Sequence, residues 1–163
     1  MPREKKADLE VTNDTFYCTV DGWQRPFEFG VNWRRGWKID EHFGGGPYDE
    51  WDDIKVLGTV RHHVTHRRSG RRKYQKVEVK LYPTHVPRDK WRDDPEAVGG
   101  VRTEKGMLHA GVYLAADAFY SLVPCFAANH FKEVVLQVRN LRYTRGRLYR
   151  IEFHPEETPR EDM

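Results

Sequence analysis

The segment from Ile54 to Tyr82 reads IKVLGTVRHHVTHRRSGRRKYQKVEVKLY, two runs in which apolar residues recur at alternate positions around a polar centre. A period of two marks half-buried β-strands, because successive side chains point to opposite faces. Two such runs about a Ser-Gly step are expected to form a hairpin. With an even loop around Ser69-Gly70, Val60 falls opposite Val79, His62 opposite Val77, Arg61 opposite Glu78 and Val64 opposite Gln75. Val56, Val60, Val77, Val79 and Leu81 then share one apolar face. The tip from His66 to Lys73 has no apolar residue and is expected to project beyond the core.

The rest of the chain repeats this pattern more weakly. Alternation over residues 9–20 indicates a strand bent at Asn13-Asp14, and Asp21-Gly22 reads as the turn into a returning strand, FEFGV at 27–31. From 32 to 53 the pattern dissolves among glycines and acids, which indicates a long loop with one short strand near Trp37 to Ile39. Residues 83–106, rich in Pro, Gly, Asp and Arg, read as a second irregular segment outside the core. MLHAGVYLA (107–115) alternates as a strand. Asp117 is placed to cap a short helix, with Pro124 starting a further turn, so the helical segment falls near 117–129. A final hairpin around Arg145-Gly146 pairs Val138 with Phe153 and Arg139 with Glu152.

About seven strands and no βαβ alternation indicate a mainly β, β-rich α+β fold. An antiparallel sandwich and a partly open barrel capped by the helical segment both fit. The 163 residues suit a single domain, 1–163, with frayed tails at 1–8 and 155–163.

Composition narrows the function classes. The longest apolar stretch, LVPCFAA at 122–128, is far short of the roughly 20 residues a membrane helix needs, so no membrane association is expected. MPREKKADLE is followed by no apolar h-region, and Cys18 and Cys125 form no CxxC pair. A cytoplasmic location with two reduced thiols is the expectation, a disulfide between them being the alternative. Net charge is only +3, but it is polarised: Arg61 to Lys80 holds eight basic residues and one acid, whereas Asp40 to Asp53 holds six acids and no base.

Clustered arginine and lysine attract phosphates, and a β-ribbon can enter a nucleic-acid groove. The candidate nucleic-acid-binding residues are therefore Arg67, Arg68, Arg71, Arg72 and Lys73 at the tip, with Trp33, Arg34, Arg35 and Trp37 from NWRRGWK as a stacking platform for unpaired bases. The second hairpin adds Arg139, Arg142, Arg145, Arg147 and Arg150. The ordinary explanation is also available: charged tips keep strand edges from pairing, and tryptophans fill cores.

Chemistry has less support. His62 and His66 share a strand face while His63 points away, a loose spacing for a metal. Glu78 and Lys80 with Asp52 and Asp53 could hold Mg²⁺ for a nuclease, but Glu78 opposite Arg61 also reads as a surface ion pair. No catalytic triad, nucleophile elbow or P-loop is present. The sequence thus indicates a non-enzymatic binding protein without cofactor or metal, its preferred partner nucleic acid. The alternative is a protein-interaction or self-assembly module, a homo-oligomer using opposite charge poles; a metal-dependent nuclease is the enzymatic option.

Overall fold

A computed structural model describes residues 12–31, 48–65, 74–92, 95 and 97–162. The strands are β1 (Asn13–Gln24), β2 (Phe27–Val31), β3 (Tyr48–Asp52), β4 (Ile54–Thr65), β5 (Lys76–Thr84), β6 (Gly99–Glu104), β7 (Met107–Ala115), β8 (Glu133–Arg142) and β9 (Arg145–His154), with one helix, α1 (Ala116–Ala127). Seven of them close into a barrel in the order β1-β4-β5-β7-β6-β9-β8, and β8 returns to β1; β2 and β3 form a separate ladder. Of the two architectures expected, the chain takes the barrel, fully closed, which leaves none of the seven strands as a bare edge.

The alternation that marks the strands fills this barrel. Phe16, Cys18, Val56, Val79, Leu81, Leu108, Leu136 and Leu148 point inward and are essentially inaccessible, each large apolar chain contributing roughly 1.5–3 kcal/mol by burial. Helix α1 closes one end with Phe119 and Phe126. The Phe126 ring meets Trp23 at 6.0 Å, Phe131 at 5.2 Å and Phe153 at 5.4 Å between centroids.

Several local expectations are corrected. The hairpin of β4 and β5 keeps its expected faces, but Val79 lies opposite Val56 rather than Val60. Beyond Thr59, β4 stays paired with β1 as far as Thr65, so the barrel seam, and not the Ser69-Gly70 step, sets the register. Asp21-Gly22 is no turn. Strand β1 runs through it, with a register shift between Val20 and Gly22. Strand β3 occupies part of the expected long loop, while the strand expected near Trp37 to Ile39 lies outside the described residues.

The segment 83–106 does contribute to the core. It contains β6, whose Val101 and Thr103 are buried, and Lys105-Gly106 turns it tightly into β7, both residues at positive φ (48° and 77°). The same excursion lays β5 and β7 side by side in parallel, so the barrel is mixed rather than antiparallel throughout.

Helix α1 is capped by Ala115, not Asp117, and Pro124 lies within it. Asp117 sits in the first turn and accepts two hydrogen bonds from Arg88, at 3.1 and 3.0 Å, which hold its carboxyl below the usual carboxylate range. The helix ends in a Schellman arrangement: Asn129 adopts φ 51°, its N–H donates to Phe126 O and that of His130 to Cys125 O. Both cysteines are free thiols.

Candidate nucleic-acid interface

The candidate residues Trp33, Arg34, Arg35, Trp37, Arg67, Arg68, Arg71, Arg72 and Lys73 lie outside the described residues. The second arginine group lies within them. Its hairpin turns at Tyr143-Thr144, with Arg142 opposite Arg145, two residues before the expected Arg145-Gly146. Gly146 is needed inside the strand instead, because a Cβ there would stand 2.8 Å from Val138 Cγ1.

Two irregularities then reset the pairing. One falls between Gln137 and Val138, the other between Arg139 and Arg142, where Asn140 takes φ 53° and its N–H donates to Thr12 O at 2.9 Å. As a result Arg139 lies opposite Arg147 and not, as expected, opposite Glu152. Glu152 instead accepts a 3.0 Å hydrogen bond from Arg150 Nε on its own strand.

Strand order extends this arginine band across the barrel wall. One rung runs Arg142, Arg145, Arg102, His109, Glu78 through β8, β9, β6, β7 and β5. The next runs Arg139, Arg147, Gly100, Gly111, Lys80, and on to Lys55 of β4. Both rungs face outward, since the intervening Val77, Val79, Val101, Leu108, Ala110 and Leu148 are the buried ones. Arg139 lies over the Tyr149 ring at 4.3 Å, a cation–π contact. Tyr143 is 93% exposed at the hairpin turn with φ 57°. Left-handed backbone is costly for a bulky residue, and such strain gathers at functional surfaces.

The acids on this wall are Glu78, Glu104 and Glu152, the last bonded to Arg150. Glu78 Oε1 lies 3.8 Å from Lys80 Nζ and 3.6 Å from His109 Nδ1. It is not the partner of Arg61, as the sequence had indicated. Arg61 Nη2 reaches Glu133 at 2.9 Å, and this carboxylate, fully buried, also accepts bonds from the Thr158 N–H (2.7 Å) and hydroxyl. Arg61 also donates to Thr158 O at 3.0 Å, so one half-buried ion pair fastens residue 158 against the start of β8.

Of the histidines in HHVTH, His63 is hydrogen-bonded to the buried Asp14 at 2.8 Å and stacks on Phe16 with centroids 4.2 Å apart. The more exposed His62 lies near Tyr17, and His66 is outside the described residues. Asp52, a member of the expected acid set, is bound by Arg25 at 3.1 Å. Among the described residues no group of three His, Cys, Asp or Glu side chains could hold a metal ion, and no helix is long and apolar enough to cross a membrane.

Arg139, Arg142, Arg145, Arg147 and Arg150 were visible in the sequence. Lys80 was visible only as the end of the basic hairpin 61–80, and Arg102, Gly100 and Gly111 were not seen, because only the order β5-β7-β6-β9 brings them alongside. The missed local signal was the alternation of VRTE at 101–104, ending in Lys105-Gly106. No protein-family model, no curated protein and no solved structure matches the chain.

Proposed function

We propose that this protein is a non-enzymatic nucleic-acid-binding protein whose phosphate-contacting surface includes the outer wall of β6, β9 and β8. The observation that carries this reading is the register of like charges. Arg142 faces Arg145, Arg145 faces Arg102, and Arg139 faces Arg147. Directly opposed like charges destabilise a sheet by roughly 0.2–1 kcal/mol per pair. A polyanion lying along the rungs reverses that sign and gains from counterion release. The tip arginines inferred from the sequence belong to the same proposal.

The test is an anisotropy titration with labelled nucleic acid across a salt series. Affinity is expected to fall steeply with salt, the log–log slope flattening by roughly 0.7–0.9 for each phosphate contact removed. Arg102→Ala, Arg145→Ala and Arg147→Ala are each expected to flatten it. Absence of binding even at low salt would overturn the reading in favour of the protein-interaction alternative.

A further inference from the structure

Six glycines lie inside the barrel strands, in β1, β4, β6, β7 and β9; Gly22 falls at the register shift of β1, and three of the other five have a packing reason. A Cβ on Gly58 would stand 2.1 Å from Thr19 O, one on Gly99 2.0 Å from Gly111 O, and one on Gly146 2.8 Å from Val138 Cγ1. Gly100 and Gly111 differ. A Cβ on Gly100 would meet nothing within 4 Å, and one on Gly111 only Tyr82 Cε2, at an ordinary 3.8 Å. Neither has a positive φ. Glycine in a strand interior costs roughly 0.5–1 kcal/mol relative to alanine, and where neither packing nor a bulge accounts for it, close approach of a ligand to the backbone is a remaining reason for it.

These two residues are register partners, so their missing side chains coincide. The result is a bare patch of sheet with defined borders. Arg147 and Arg139 continue its rung on one side and Lys80 on the other. Arg147 and Lys80 stand three strand spacings apart, about 14 Å. Along the strands, Arg102 and His109 form the next rung one way, and Tyr82 and Tyr113 the next the other way. The two tyrosine rings lie 5.2 Å apart at 32°, and Tyr113 is 41% exposed.

We infer that this patch is a seat for unpaired bases, and that the nucleic acid bound is single-stranded. A duplex turns phosphates outward and would use the arginines and lysines alone. It has no use for an aromatic pair or a floor without side chains. A single strand has π-faces to set on the floor and against the tyrosines while its phosphates run between Arg147 and Lys80. This inference rests on the proposed nucleic-acid binding, and its test separates the two.

The probe is a labelled oligodeoxythymidylate of about 12 nucleotides, compared with its ribose counterpart and with a mixed-sequence duplex of the same length. The single strands are expected to bind more tightly than the duplex. Gly100→Val, whose Cβ meets nothing within 4 Å and which suits a strand, is expected to weaken single-strand binding roughly tenfold while leaving duplex binding unchanged and thermal stability no lower. Tyr113→Ala should behave likewise, and Tyr113→Phe should restore binding. If Gly100→Val and Tyr113→Ala bind the oligomer like the wild type while Arg147→Ala weakens it, the base seat is overturned and the phosphate-binding reading stands. A tighter duplex overturns the inference in the same way. No binding of any probe at low salt overturns both.

Discussion

At the scale of single residues, burial decides chemistry. Cys18 lies inside the barrel, and burial, with Glu133 and Asp21 nearby, pushes its thiol up to about 12. It is therefore neutral throughout the physiological range and a poor nucleophile. Cys125, on the half-exposed side of α1, only donates weakly to Ser121 O at 3.8 Å. Alkylation of the native protein near pH 8 is expected to modify Cys125 and spare Cys18 until denaturant is added; equal labelling of both would contradict the closed barrel. The linkage has a definite sign. A thiol whose pKa is raised on folding stabilises the native state below the unfolded value, near 9. That contribution fades as pH climbs from there toward 12, because the unfolded chain ionises first.

At the scale of elements, the seam between β1 and β4 shows how one atom constrains a pairing. Gly58 lies where the Thr19 carbonyl leaves no space for a methyl group. Gly58→Ala is expected to cost about 2 kcal/mol by forcing the strands apart, read as a lower urea midpoint at unchanged slope. Gly100→Ala, on an open surface, should instead raise the midpoint slightly, by the roughly 0.5–1 kcal/mol that a strand glycine costs. The contrast also measures what the sequence discloses. The alternating runs of β4, β5, β7 and β8 were legible because their inward faces are uniformly apolar. Strand β6 was hidden: its two leading glycines read as breakers, yet Gly99 marks close strand contact and Gly100 an outer floor. The registers of β4–β5 and β8–β9 were misjudged because a neighbouring strand or a bulge sets them, and neither is encoded in the hairpin itself.

At the scale of the whole molecule, charge is unevenly placed. A net charge of +3 conceals a wall on which Arg102, Arg139, Arg142, Arg145 and Arg147 are neighbours. Repulsion across such a wall is screened by salt, so the unliganded protein is expected to gain stability between low and moderate ionic strength. By calorimetry the midpoint should rise roughly 2–4 °C, as about 1 kcal/mol of relief would give in a chain of this size. A falling midpoint would mean that attractive pairs such as Arg61–Glu133 and Arg88–Asp117 outweigh the wall. The wall was only half legible in the sequence. Its β8–β9 arginines stand close together in the chain, but Lys80 and Arg102 join them through a parallel crossing that local pattern does not reveal.

The pairing that closes the barrel ties residue 13 to residue 139 and residue 19 to residue 133. During synthesis, β1 and β4 can zip together early, but the far side of β1 must wait for β8. At ordinary elongation rates of about 5–20 residues per second, that interval, from Thr65 to Arg142, is about 4–15 s. Throughout it β1 is an open strand edge carrying Phe16 and Cys18, available to chaperones or to a second nascent chain until its proper neighbour emerges.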